Sequence, residues 1–160
     1  MSIEIVRKYF SSFGMEDRIL EFQVSSATVE LAAQAVGCIP ARIAKTLSFK
    51  IGEEPILIVA AGDAKIDNRK YKDKFGKKAV MLSQEEVSEK VGHAVGGVCP
   101  FGIPETVRVY LDESLRRFET VFPAAGSSNS AIELNMEELE RYSTAKEWID
   151  VCKGWQEQEV

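Results

Sequence analysis

Thr46-Leu47-Ser48-Phe49-Lys50-Ile51-Gly52-Glu53-Glu54-Pro55-Ile56-Leu57-Ile58-Val59-Ala60-Ala61 is the stretch that decides the fold. Leu47, Phe49 and Ile51 alternate with Thr46, Ser48 and Lys50, the period of a strand with one face buried. Gly52 to Pro55 then turns the chain into the apolar run Ile56 to Ala61, so the two segments read as a β-hairpin.

Working back from the hairpin, Leu31, Ala32, Ala35 and Val36 define the inner side of a helix that opens near Thr28 and stops at Gly37. Leu20, Phe22 and Val24 alternate as a strand, and Val6, Tyr9, Phe10 and Phe13 place a helix between Ser2 and Gly14. Forward of the hairpin, Asp67 caps a helix with Tyr71 and Phe75 at i and i+4 that ends at Gly76. Ala79 to Leu82 reads as a short strand, and Ser83 with Glu86 makes a capping box for a helix holding Val87 and Val91. Strands are expected at Val107 to Leu111, Thr120 to Phe122 and Ala131 to Leu134, followed by a helix from Asn135 through Leu139. Thr144 with Glu147 suggests a capping box for a last helix carrying Trp148, Val151, Cys152 and Trp155. The irregular alternation of elements implies a mixed α/β fold rather than a doubly wound parallel sheet, in one domain over residues 1–160.

Composition narrows the function classes. The longest apolar run has six residues, far below the ~20 that span a bilayer, and the N-terminus shows no secretory pattern, so a cytoplasmic protein without a membrane partner is expected. Three cysteines without a CxxC pair, and a single histidine, argue against a disulfide framework and a metal centre. Neither a metal nor a cofactor is expected. The net charge of −5, taken alone, argues against a nucleic-acid partner, and no DNA partner is expected, but the charge is unevenly spread. Seven basic and two acidic residues between Lys65 and Lys78 give that segment +5 and leave −10 for the remainder. Such asymmetry marks a local anion-facing patch.

Three stretches can carry chemistry. Lys45, at the start of the first hairpin strand beside Thr46, can place an ammonium in a cleft at the sheet end and stabilise an anion. Val95-Gly96-Gly97-Val98-Cys99-Pro100-Phe101-Gly102 is a loop whose N–H groups can approach a ligand closely, and its spacing fits neither a P-loop nor a dinucleotide fingerprint. Ala125-Gly126-Ser127-Ser128-Asn129-Ser130 offers small polar groups for a site mouth. Cys99 as nucleophile with His93 as base is a rival reading, but the spacing supplies no third, orienting group.

Taken together, Lys45-Thr46-Leu47, then Gly96-Gly97-Val98-Cys99-Pro100-Phe101-Gly102, then Phe122-Pro123-Ala124-Ala125-Gly126 followed by Ile132-Glu133-Leu134, resemble the YbaK/EbsC family of aminoacyl-tRNA deacylases. That family is related to the editing insertion of bacterial prolyl-tRNA synthetases. The resemblance covers nearly the whole chain and implies a mixed, partly barrel-like β-sheet surrounded by helices. It implies hydrolysis of mischarged aminoacyl-tRNA, with an aminoacyl-tRNA synthetase such as prolyl-tRNA synthetase as a further partner.

Residue by residue, the resemblance implies oxyanion or phosphate stabilisation by Lys45 and carbonyl binding by the N–H groups of Gly97 and Val98. Thr46, Phe22, Gly96, Pro100, Gly126, Ser128 and Asn129 would border the pocket. The family's namesake carries an aspartate where Ala131 stands and a tyrosine near Phe22, so the resemblance implies the activity and not the amino acid. Ala131 also leaves open a non-catalytic tRNA- or synthetase-binding module. On the basic helix, Lys70 and Lys74, with Lys77 and Lys78 beyond, would track the tRNA phosphates.

Overall fold

The computed structural model describes residues 2–93 and 97–155. Helix α1 (Ser2–Ser11) buries Val6 and Phe10, and a short 3-10 turn leads into β1 (Ile19–Glu21). Here the observed strand is shorter than the sequence implied. Ile19 is its buried residue, while Leu20 and Val24 face solvent and Phe22 is half-buried past the strand's end. Helix α2 (Val29–Val36) is capped by the Thr28 side chain, which accepts from the Leu31 N–H, and is closed by left-handed Gly37. Its buried residues are Ala32 and Ala33, because α2 lies on a small second cluster with Ile43, Phe122 and Ala131, and Leu31 is left exposed.

The hairpin forms as expected from β2 (Ile43–Ile51) and β3 (Glu54–Ala61), in register from Ala44↔Ala61 to Ile51↔Glu54. Next come β4 (Lys65–Ile66), α3 (Asn68–Phe75) and α4 (Gln84–Lys90), then β5 (Arg108–Asp112), β6 (Thr120–Pro123), β7 (Ser130–Ile132) and β8 (Leu134–Asn135). Helix α5 (Met136–Ser143), β9 (Glu147–Ile149) and β10 (Cys152–Lys153) complete the described elements. The main sheet has six strands in the order β8-β6-β2-β3-β5-β9, mixed in direction, and the pairs β1-β7 and β10-β4 form two separate two-stranded sheets. The result is a mixed α/β fold around a curled, half-barrel sheet. After Glu54, β3 is apolar because strands flank it on both sides, and residues 56 to 61 are essentially inaccessible.

Side-chain caps set the helix boundaries. Asp67 accepts from the N–H groups of Arg69 and Lys70, and Ser83/Glu86 and Asn135/Glu138 form reciprocal capping boxes. Helix α3 lays Tyr71 against Phe49 and Phe75 against Tyr110, which covers one face of the sheet. Phe10 packs on Phe101 and Tyr142.

Two further expectations are corrected. Residues 79–82 do not form a full strand but lie along β2 through one bridge, Phe49↔Met81. The expected last helix is absent among the described residues. Thr144 is not an N-cap but the left-handed C-cap of α5, with φ 56°, and Glu147–Ile149 instead pairs in parallel with β5. Trp148 and Ile149, aromatic and β-branched, suit a strand, and the pairing leaves Ile149 buried and Asp150 exposed.

Candidate active site

The site is a break in the sheet. One edge of β2 is paired with β3 along its length. On the other edge, β6 pairs only at Ile43 and Ala44. The segment 80–82 takes over further along, where the Lys50 N–H donates to the Val80 carbonyl at 2.9 Å and the Leu82 N–H donates to the Ser48 carbonyl at 3.2 Å. Between these two flanks lies a cavity of about 280 Å³. β2 contributes Ala44 to Ser48 to its wall, and Ser26 to Val29, Met81, Leu82, Val98, Phe122 and Ala131 line it from other elements.

Lys45 stands at this cavity with its stem half-buried. Its ammonium donates to the Ala64 carbonyl and, at 3.5 Å, to the Gly62 carbonyl. Burial holds its pKa below the ordinary 10.5, against the raising effect of nearby Cys152 and Asp63. An ammonium has three donors, so one remains for a ligand. The turn that receives the other two is held in place on two sides. Gly62 packs so tightly against the Pro40 carbonyl that no side chain fits there. Asp63 forms a two-pronged pair with Arg117 at 2.5 and 3.0 Å. Thr46, next along β2, lines the cavity with a hydroxyl that is buried and has no hydrogen-bond partner among the described residues.

The two loops singled out in the sequence meet each other. A Cβ on Gly97 would stand 2.7 Å from the Ser127 nitrogen and 2.8 Å from the Gly126 carbonyl carbon. The requirement for glycine there thus comes from loop-on-loop packing. Val98 reaches the cavity, and Pro100 is buried beyond it. Gly96 lies outside the described residues.

Phe22, Gly126, Ser128 and Asn129 are not in the cavity wall. The Phe22 N–H donates to the Asn129 carbonyl at 2.8 Å, Asn129 Nδ2 donates to the Phe22 carbonyl at 3.0 Å, and the Ser26 N–H donates to the Ser128 carbonyl at 2.6 Å. These bonds clip the 22–28 segment down and so deliver Ser26, Ala27 and Thr28 to the cavity. None of those three, nor Met81, Leu82 and Phe122, stood out as site residues in the sequence. They are apolar or small, and only tertiary structure assembles them.

Cys99 and His93 do meet, with Sγ 3.6 Å from Nε2, but both are buried. His93 Nε2 bonds the Phe101 carbonyl at 2.9 Å, and burial pushes the thiol up to about 12. A protonated, enclosed thiol is no nucleophile. The basic segment divides in two, with Lys70 and Lys74 on α3 and Lys77 and Lys78 beyond its Gly76 cap. Lys70 pairs with Asp150 at 3.0 Å and Lys74 with Glu147 at 2.9 Å, whereas Lys77 and Lys78 are exposed and carry no ion pair among the described residues. They lead through Ala79 and the exposed Val80 to Met81, which is exposed and lines the cavity. Among the described residues no group of three or more His, Cys, Asp or Glu side chains is placed to hold a metal, and no helix is long and apolar enough to cross a membrane.

Comparison with known proteins bears on this geometry. A family model described as "Aminoacyl-tRNA editing domain" matches residues 24–142, the span that contains the whole cavity wall. The chain belongs to the aminoacyl-tRNA editing domain family.

It is 57% identical over 157 residues to the uncharacterized protein YwhH of Bacillus subtilis (strain 168), covering 98% of this chain and 100% of that one. It is 27% identical over 129 residues to the proline–tRNA ligase of the same organism, covering 80% of this chain but 22% of the ligase. This chain therefore corresponds to about a fifth of that enzyme. Among solved structures, a candidate trans-editing enzyme for prolyl tRNA synthetase superposes with a TM-score of 0.85 at 29% identity, over 96% of this chain and 98% of the other.

Proposed function

We propose that this protein is a hydrolase that removes a wrongly attached amino acid from tRNA, acting in trans on the ester at the 3′-terminal adenosine. The observation that carries the reading is the cavity at the break in β2, mostly apolar in its walls and bordered by the single ammonium of Lys45, in a member of an editing family. An aminoacyl ester is already activated by its own ammonium and by the neighbouring ribose hydroxyl. Its hydrolysis asks the protein for orientation and for stabilisation of the oxyanion, not for a nucleophilic triad.

In this reading Lys45 supplies charge to the oxyanion or the terminal phosphate, through the donor left free by Gly62 and Ala64. Gly97 and Val98 close the cavity beside it, and Thr46 meets the substrate directly. Pro100, Gly126, Ser128, Asn129 and Phe22 support the loops around it. The benefit is a second sieve, since a synthetase separates small amino acids by only about 1–3 kcal/mol. Mischarged tRNA is the substrate, prolyl-tRNA synthetase the associated enzyme and the cytoplasm the compartment. Lys77 and Lys78 meet the acceptor stem.

The test is release of free amino acid from tRNA charged with Ala, Ser, Thr or Cys, at catalytic protein concentration. Turnover above the spontaneous rate supports the hydrolase. One observation favours a second reading, a binding module without turnover: Ala131 presents a methyl group to the cavity where the family's namesake has a carboxylate. Saturable tRNA binding with no released amino acid would select it.

A further inference from the structure

Along a strand, the N–H and C=O of alternate residues point to the same edge. In β2 the Ser48 carbonyl and the Lys50 N–H address the 80–82 segment, and Ala44 registers with Pro123 of β6 on that same edge. Thr46 lies midway between Ala44 and Ser48, so its own N–H and C=O point into the break. Because β6 stops at Ala44 and the 80–82 segment begins at Ser48, neither has a ladder partner on this edge among the described residues, and the Thr46 hydroxyl is buried and unpaired as well. From Ala44 to Ser48 the open edge measures roughly 13 Å, room for one extended residue. The described side chains around the cavity include no carboxylate, so an α-ammonium entering it has no acidic side chain to meet.

We infer that the aminoacyl group docks on Thr46 as a one-residue antiparallel strand, its α-ammonium donating to the Thr46 carbonyl and its ester carbonyl accepting from the Thr46 N–H. The inference rests on the aminoacyl-ester reading above and specifies how the ester is held. An extended amino acid presents its nitrogen and its carbonyl oxygen to one edge, the pattern of a hydrogen-bonded pair in a ladder. The break between β6 and 80–82 is then filled by substrate, and the Thr46 N–H is an oxyanion donor. Water adds to the carbonyl carbon, and the carbonyl electron pair moves to the oxygen held by that N–H. The bond to the ribose O3′ then breaks, one proton of the water ends on O3′, and the amino acid leaves as its carboxylate with the other proton released to solvent. Recognition by main chain is blind to the side chain, so choice among amino acids falls to the apolar walls.

The experiment uses 15N-labelled protein and 3′-(L-alanylamido)-3′-deoxyadenosine, in which an amide replaces the ester. The expected result is a shift of the Thr46 amide resonance and at least roughly tenfold slower hydrogen exchange there. The amides of Leu47 and Phe49, which point to β3, stay as they were. The desamino analogue, 3′-propionamido-3′-deoxyadenosine, should bind roughly tenfold or more weakly. If the alanyl analogue binds in the cavity with the Thr46 amide unmoved, or the desamino analogue binds equally well, the inference is overturned and the ester reading stands. If neither analogue perturbs any cavity residue and mischarged tRNA is not hydrolysed, both fall.

Discussion

Gly97 rests against the backbone of Ser127, so closely that a Cβ on it would stand only 2.7 Å from the Ser127 nitrogen. The loop that ends at Pro100 and the loop that begins at Gly126 are thus locked together by the absence of a side chain. Gly97→Ala should destabilise the fold by about 1–3 kcal/mol through overpacking, and Gly97→Val by more. Urea unfolding checks this. Loss of deacylation in Gly97→Ala with unchanged stability would mean that the glycine serves the ligand and not the loop contact.

Lys45→Met keeps the stem and removes the ammonium. It should fold normally and lose on the order of a hundredfold in the rate of deacylation, the usual cost of removing one transition-state donor. Single-turnover assays on mischarged tRNA measure it. Full activity in Lys45→Met would exclude the lysine from the chemistry.

The lowered pKa of Lys45 gives a pH dependence with a definite sign. If the ammonium form is the working one, deacylation falls as pH rises through a value below the ordinary 10.5. The same shift works oppositely on folding. Between the folded and unfolded pKa values the unfolded chain binds the extra proton, so this residue's contribution to stability rises with pH across that window. Hydrolysis of a short aminoacyl-adenosine mimic, corrected for the spontaneous rate, should show the falling limb, and Lys45→Met should lack it.

The enclosed thiols predict a labelling pattern. Cys99 and Cys152 are buried and Cys38 is half-exposed, so a thiol reagent should modify Cys38 in the native protein and the other two only on unfolding. Cys99→Ser should retain deacylation. A specific loss of activity in a folded Cys99→Ser protein would revive the nucleophile.

Ion pairing divides the basic segment into two unequal halves. Lys77→Glu with Lys78→Glu should raise KM for charged tRNA and flatten the log–log salt dependence by about 0.7–0.9 per lost contact. Lys70→Glu with Lys74→Glu should change the salt slope less, because Asp150 and Glu147 already engage those lysines. Equal salt slopes for both variants and the parent would move the tRNA to another face.

Much of this molecule was legible because its signals are local. Thr28, Asp67, Ser83 and Asn135 cap helices through bonds to residues two or three positions away, and the hairpin closes on itself. The strand at Glu147–Ile149 is hidden in the sequence because Thr144 and Glu147 have capping-box spacing, while the partner that decides their fate, β5, lies far back in the chain. The site divides in the same way. Lys45 and Thr46 sit in a readable strand, but nothing local distinguishes Ala27, Met81 or Phe122 from other apolar residues. The open edge at Thr46 is a relation among β2, β6 and residues 80–82, and no single window of sequence contains it.

The way β2 is flanked also fixes an order of assembly. Its pairing with β3 closes across a two-residue turn, a low-contact-order event that can happen early. The pairing of β2 with β6 joins Ile43 to Phe122, and the parallel register of β3 with β5 joins Ile56 to Arg108, so both wait on the closure of long loops. The hairpin is therefore expected to form early in folding and the cavity late. On a ribosome, the cavity wall becomes complete only after β6 and Ala131 have emerged.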